Sequence, residues 1–503
     1  MIKKISMLAL AGLIALPVVA SAGVGPKSSD LDRKIQDLSS QLDQLKAQMA
    51  AQAEANAATK AKVGDLDNTV ASFSDRATDW DLAARVKLYG DYRARLDYYS
   101  ADTVFGRSLD NDTSWTNRFR LNMRVGVTEN VEFKGRLAMY KAWGMESAMA
   151  DASNTAFPQF DGNSTRTPSD NALRVDRAFV NFNNIGGAPI WFSIGRRPTT
   201  DGNPSNIRMN STERSGTPLI MDYAFDGISA GYAYKWGGDL GAGRVRVCYG
   251  RGFEDGLQVD GEGMEDTDFI GMSWDILQKG DRFLYAQSFV AANVFNYPNF
   301  QDTFTETMAP LVYGPRDQMG NIILSGATYM DKIGPVNFFV AGGWSRTDPN
   351  ANGMLNDYAG MFLGQNGYNE DSENGYHAHG GVRYDIDPIG LKLGAELNWG
   401  SENWISFTPG HDDLYQSKIA TRGTVAEVYG IYDLPTGKAI SKYAKTFMRL
   451  GYQHYEYDYS GSGDWNQKAY DLGNSIDQAK MLMMGMDPVE SADQVYVTLE
   501  ATF

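Results

Sequence analysis

From residue 83 to the end of the chain, apolar and polar side chains alternate in one run after another of about ten residues. Residues 85–99 show the pattern: Val86, Leu88, Gly90, Tyr92, Ala94, Leu96 and Tyr98 take one parity, and Arg85, Lys87, Tyr89, Asp91, Arg93, Arg95 and Asp97 the other. A period of two belongs to a strand with one apolar and one wet face. Residues 115–127 set Trp115, Phe119, Leu121, Met123, Val125 and Val127 against Arg118, Arg120, Asn122 and Arg124. After a turn at Thr128, Glu129 and Asn130, residues 131–143 set Val131, Phe133, Leu137 and Met139 against Glu132, Lys134 and Arg136, which predicts a hairpin. Similar runs near 173–183, 189–196, 222–236, 241–252, 267–277, 281–295, 321–330, 335–346, 375–386, 390–399, 422–433, 444–458 and 492–503 bring the expected count to about sixteen. About ten residues is the length a tilted strand needs to cross a bilayer. The connections alternate too: short ones such as 183–188 and 278–281 are separated by long ones at 100–114, 144–172, 197–221, 253–266, 296–320, 347–374, 400–421 and 459–491. Short turns at one end and long loops at the other are the rhythm of a transmembrane barrel, not of a soluble sandwich.

Hydropathy alone hides such a chain. Beyond residue 22 no apolar run reaches the roughly 18 residues of a membrane helix, and mean hydropathy is −0.38. Yet 53 Gly, 27 Tyr, 23 Phe and 10 Trp suit many strands, tight turns and interfacial rings. The opening MIKKISMLALAGLIALPVVASAG has a basic start, an apolar run and a small-residue cleavage site, so residues 1–22 read as a secretory signal peptide. Its removal takes Lys3 and Lys4 away and moves the formal net charge from −16 to −18. Cys248 is the only cysteine, which excludes an intramolecular disulfide and a Cys-x-x-Cys-His haem attachment.

Between residues 28 and 75 the period changes. Leu31, Ile35, Leu38, Leu42, Leu45 and Met49 are spaced alternately by four and three, and the same frame runs through Gln52, Asn56 and Thr59 to Val63, Leu66, Val70 and Phe73. That is a heptad pattern across a polar middle, capped by Ser28, Ser29 and Asp30, and weakened beyond Gly64. It predicts an α-helical coiled coil, or an amphipathic helix lying on the barrel.

The final run DQVYVTLEATF places Val495, Val497, Leu499, Ala501 and Phe503 on one face and Tyr496, Thr498, Glu500 and Thr502 on the other. It resembles the terminal strand of bacterial outer-membrane porins, whose closing Phe, here Phe503, is read by the barrel-assembly machinery. The whole pattern is similar in architecture to sixteen-stranded phosphate and polyphosphate porins with a periplasmic coiled coil, and points to a porin-like family of unknown function. The resemblance implies an all-β transmembrane barrel over 83–503, about 16 antiparallel strands, an N-terminal segment over 28–75 in the periplasm, a homotrimer, and contact with outer-membrane lipid and lipopolysaccharide. The strong acidity of this chain departs from their anion specificity. No nucleic-acid partner is expected.

With the apolar parity toward lipid, Arg85, Lys87, Arg93, Arg95, Arg118, Arg120, Arg124, Lys134, Arg136, Arg244 and Arg246 fall on the lumen side as expected pore-lining residues. They form either an anion-attracting wall or an internal network with Asp91, Asp97 and Glu132. Most of the acidic excess is then in outer loops, at Glu254, Asp255, Asp260, Glu262, Glu265, Asp266 and Asp268 and at Glu370, Asp371 and Glu373, read as solvated or as binding divalent cations between lipopolysaccharide phosphates. By position after the fifth strand, as in the inward loop of sixteen-stranded porins, Asp201, Arg208, Glu213 and Arg214 are constriction candidates.

Nothing points to an enzyme. His377, His379, His411 and His454 fit no His-Glu-x-x-His arrangement, no hydrolase serine context or phosphate loop is present, and no cofactor or metal is expected. The function expected is passive diffusion of small hydrophilic solutes or ions, with anions preferred if the basic wall dominates. The alternatives are a structural tether to peptidoglycan and the sheath of an electron conduit around a separate cytochrome.

Overall fold

The computed structural model describes residues 28–79, 85–144, 165–166, 168–198, 204–211, 219–237, 240–257, 263–296, 317–408, 417–441 and 444–503. The chain divides into two units, residues 1–81 and 82–503. The expected signal peptide lies outside the described residues. In the first unit one helix, α1, spans Ser28–Asp79. It runs unbroken through Gly64, so the expected weak point is not a break: one glycine costs only about 1 kcal/mol against alanine, less than the helix gains from the alanine-rich turns before it. The heptad residues Ile35, Leu38, Leu42, Leu45, Met49, Val63 and Leu66 are all exposed.

The second unit is a closed antiparallel barrel of sixteen strands. They are β1 (Val86–Thr103), β2 (Ser108–Thr128), β3 (Val131–Ala142), β4 (Arg174–Phe182), β5 (Ile190–Pro198), β6 (Ala224–Lys235), β7 (Ala242–Phe253), β8 (Thr267–Lys279), β9 (Arg282–Phe295), β10 (Gln318–Ile333), β11 (Val336–Pro349), β12 (Asn374–Ile386), β13 (Leu391–Gly400), β14 (Gly423–Asp433), β15 (Lys445–Tyr457) and β16 (Val489–Thr502). Among the described residues three short α-helices interrupt the long loops: α2 (Ser205–Arg208), α3 (Tyr358–Phe362) and α4 (Ser475–Met483). Each run predicted from alternation coincides with one strand. One predicted loop is corrected: β1 and β2 are 18 and 21 residues long, and only residues 104–107 join them where 100–114 was expected. The ladder continues because Ser100, Ala101 and Asp102 keep pairing with Asp110, Leu109 and Ser108, and polar side chains at that end do not interrupt backbone hydrogen bonding.

Parity divides the wall. On β1 the charged set Asp91, Arg93, Arg95 and Asp97 is buried inside, while Leu88, Tyr92 and Tyr98 are exposed outside. Outward residues line up from strand to strand: Leu96 lies opposite Val497, Val497 opposite Leu450, Leu393 opposite Tyr384, and Tyr384 opposite Val336. An exposed apolar belt of this extent is costly in water and favourable in lipid.

The β6–β11 side departs from the simple pattern, because there the inner face is apolar as well. Phe225, Phe269, Phe289, Ile322 and Leu324 point inward and pack against segments of two long loops, which bring Leu219, Ile220, Met221, Trp404, Ile405 and Phe407 into the same cluster. The two segments pair in parallel at Met221 and Phe407, with the Asp222 N–H donating to the Phe407 carbonyl (2.8 Å) and the Phe407 N–H to the Ile220 carbonyl (3.0 Å).

At the seam, β16 closes on β1. The Phe503 N–H donates to the Gly90 carbonyl at 3.0 Å and the Gly90 N–H to the Phe503 carbonyl at 2.9 Å. A Cβ on Gly90 would lie 2.8 Å from the Phe503 ring and 2.3 Å from the Arg120 carbonyl oxygen. Only glycine fits beneath that ring.

Candidate functional site

Closure of the barrel joins β15 and β16 to β1–β4, and the inward faces of these six strands form one basic wall. Antiparallel register sets Arg93 between Arg118 and Glu500, and Arg95 between Thr116 and Thr498. Arg449 on β15 stands opposite Thr498, and Arg177 on β4 stands opposite Arg136.

Of the predicted lumen residues, Arg93 and Arg95 are 1% and 0% exposed, so they are packed rather than bathed in water. Arg93 donates to the Tyr140 hydroxyl at 2.9 Å and stacks over that ring. Arg95 pairs with Asp97 at 2.8 Å, and Arg95 and Arg449 lie over the Tyr496 ring at 4.5 and 5.0 Å. Arg118 and Arg120 share Asp91 at 3.1 and 2.8 Å. Arg136 pairs with Asp176, which also takes Arg166 at 2.7 Å and Arg177 at 3.7 Å. Arg124 and Lys134 share Glu132 in the more open part of the wall. Arg85 and Lys87 are exposed at the start of β1. Arg244 and Arg246 stand on β7, away from this group, and both face Asp275.

Asp91, Asp97 and Glu132 do pair with the arginines, joined by Asp176 and Glu500, but each of several carboxylates serves more than one guanidinium. Arg449 and Arg177 were passed over in the sequence although the parity of their strands marks them as inward; Asp176 escaped because a register shift between Arg136 and Leu137 turns it inward beside Arg177.

A second feature crosses the bore. In the loop after β5, α2 reaches the wall of β12–β15, half the ring away. Arg208 is buried there, with Nε 2.9 Å from the Glu427 carboxylate. Arg383 donates to the Ile207 carbonyl at 2.5 Å, and Asn210 donates to Asp433 at 2.9 Å while accepting from Lys392 at 2.8 Å. The other constriction candidates, Asp201, Glu213 and Arg214, lie outside the described residues. From the β13–β14 loop Lys418 enters between Glu396 and Glu427, 2.6 Å from the latter. Tyr496 and Gln453 also donate to Glu427, at 2.5 and 3.1 Å. One carboxylate thus ties two loops to the wall. Nearby, His379 meets Glu396 at 3.2 Å, and His377 stacks on Trp404 and meets Asn398 at 2.5 Å. Lys418 could not be placed from alternation, since it sits in a loop with no period.

Residues 108–503 match the model of the family described as "Protein of unknown function (DUF3373)". The chain belongs to this family. The DUF3373 match spans β2 to β16 and so takes in most of the basic wall, the crossing loop and Glu427. No curated relative matches the chain. Among solved structures, in-vitro folded OmpT of Vibrio cholerae in its trimer form is 12% identical, with 83% of this chain and 99% of that chain covered and a TM-score of 0.39. The loop L8 deletion mutant of the same protein gives 12%, 83%, 99% and 0.39, and outer-membrane expressed OmpT gives 13%, 83%, 97% and 0.36.

Proposed function

We propose that this DUF3373 protein is an outer-membrane channel for small hydrophilic solutes that favours anions, assembled as a trimer, with α1 forming a periplasmic coiled coil. The observation that carries the reading is the inward basic wall, on which arginines outnumber the carboxylates that pair with them, inside a barrel whose outer face is an apolar belt. A solute anion compensates that excess, and a pore wall screens it less than bulk water does. Selectivity falls mainly to the more open cations, Arg120, Arg124 and Lys134, because the packed Arg93 and Arg95 already have close partners.

Reversal potentials of the reconstituted barrel under a salt gradient test this. The wild type is expected to be anion-selective at low salt, with the preference fading near 1 M as the Debye length falls to about 3 Å. Replacing Arg120, Arg124 and Lys134 by Gln moves the reversal potential toward zero. A cation-selective wild type whose reversal does not respond to the triple change would refute the reading. The packed apolar cluster around Trp404 and Phe407 favours a second one, a barrel closed at rest that serves as a tether to peptidoglycan. It predicts no unitary current at all.

A further inference from the structure

On the inward face of β5–β9, away from the basic wall, lies a partly enclosed chamber of about 100 Å³. Its apolar side is made by Phe225, Phe269 and Phe289, with ring centroids 4.5 Å apart for the first two and 6.0 Å for the last two. Its polar side carries Arg197, Arg246 and Ser273. Arg246 is provided for: its Nε donates to the Ser273 hydroxyl, and Asp275 lies 3.7 Å from its Nη2. Asp275 also takes Arg244.

Among the described residues Arg197 is less well provided for. Its guanidinium sits 5.5 Å from the Trp191 ring centroid and 5.6 Å from that of Phe179. Aromatic faces attract a cation but accept no N–H in line. The Arg197 Nε is buried and has no hydrogen-bond partner, and among the described residues Arg197 makes no ion pair. Arg244 and Arg246 share the carboxylate of Asp275, and among the described residues no carboxylate pairs with Arg197. A buried donor left without an acceptor is costly, more so when it is charged.

We propose that the chamber binds a small organic carboxylate, its charged end on Arg197 and its apolar end against Phe225, Phe269 and Phe289. The proposal rests on the reading of the lumen as a solute path, by which the ligand reaches the chamber. Size narrows the class. An apolar cavity of about 150 Å³ takes benzene; this one is smaller, so its ligand carries a short aliphatic body of three or four carbons and not a ring. An inorganic anion leaves the phenylalanines unmet, and a neutral alcohol brings an acceptor oxygen but no charge to balance Arg197.

Saturation-transfer NMR on the folded barrel in detergent, with butyrate as the probe, tests this. Butyrate is expected to bind in the millimolar range, Arg197→Gln to weaken it at least tenfold, and Arg107→Gln, in the exposed β1–β2 turn, to leave it unchanged. Sulfate and 1-butanol are not expected to compete. Absence of butyrate binding to the wild type, equal binding by Arg197→Gln, or tighter binding of benzoate overturns the proposal. Heat-modifiable migration confirms folding; if Arg197→Gln does not fold, Phe269→Trp, which fills the chamber, takes its place, and retained binding again overturns it. Planar-bilayer current is recorded separately. A barrel that binds butyrate without conducting sinks the channel reading alone, and one that conducts without binding butyrate sinks this proposal alone.

Discussion

Glu427 shows how much one side chain can organise. It is 1% exposed and receives Arg208, Lys418, Gln453 and Tyr496, which come from two loops and two strands. Removing one charge from a buried pair is destabilising by about 3–5 kcal/mol, because the partner is left uncompensated. Glu427→Gln takes from Arg208 the carboxylate it pairs with and leaves Lys418 with Glu396, so its urea-unfolding midpoint should fall below that of the wild type. Adding Arg208→Met should recover part of the loss, since a packed apolar group replaces the cation deprived of its carboxylate. A Glu427→Gln midpoint equal to wild type would mean that the loops are held by apolar packing alone. None of this could be read from spacing. Glu427 shares an inward parity with Val425 and Tyr429 and looks like any lumen carboxylate, and its partners are brought to it by loops that have no period.

At the level of elements, the strands were legible because lipid on one side and polar groups on the other impose a two-residue period. Where that contrast fails, the sequence says less. In β10, Ile322 and Leu324 are buried inside while Ser325 and Ala327 face out, and only the apolar loop segments that fill this side of the bore explain the inversion. The helix was legible by its heptads, and its apolar seam remains exposed along α1. At about 1.5 Å per residue its 52 residues extend roughly 78 Å. A peptide of residues 28–75 should be helical and self-associating, and Leu38→Asp with Leu45→Asp should abolish association; a monomer at high concentration in sedimentation would leave the coiled coil without support. In the outer loops Asp357 caps α3 through the Gly360 N–H at 2.9 Å and takes Tyr470 and, from α4, Lys480. Burial alone would raise its pKa, but the Lys480, Gly360 and Tyr470 hydrogen bonds together hold it below the usual carboxylate value. A depressed carboxylate stabilises the fold above its unfolded pKa of about 4 and loses that effect as pH falls through the folded value. Amide exchange of residues 357–363 should therefore accelerate below about pH 4, and in Asp357→Asn it should be fast at neutral pH as well.

Across the barrel as a whole, closure is what turns separate strands into a site. It sets Arg449 and Glu500 beside Arg93 and Arg95, and it depends on a seam at which Phe503 pairs with Gly90. Removing Phe503, or replacing it by a charged residue, should lower the yield of heat-modifiable folded barrel, and Gly90→Leu should do the same from the other side of the contact. Undiminished yield in all of these would show that the seam forms without the ring.

The crossing loop has a mechanical meaning of its own. A hollow ring squeezed by the lateral pressure of a bilayer yields most easily by flattening into an ellipse, because bending its wall costs less than compressing it. Arg208, from the loop between β5 and β6, is tied to Glu427 on β14, across the ring from β5. This tie resists that flattening along the axis it joins, beside the loop segments that pack Trp404 and Phe407 against the inner face of the barrel.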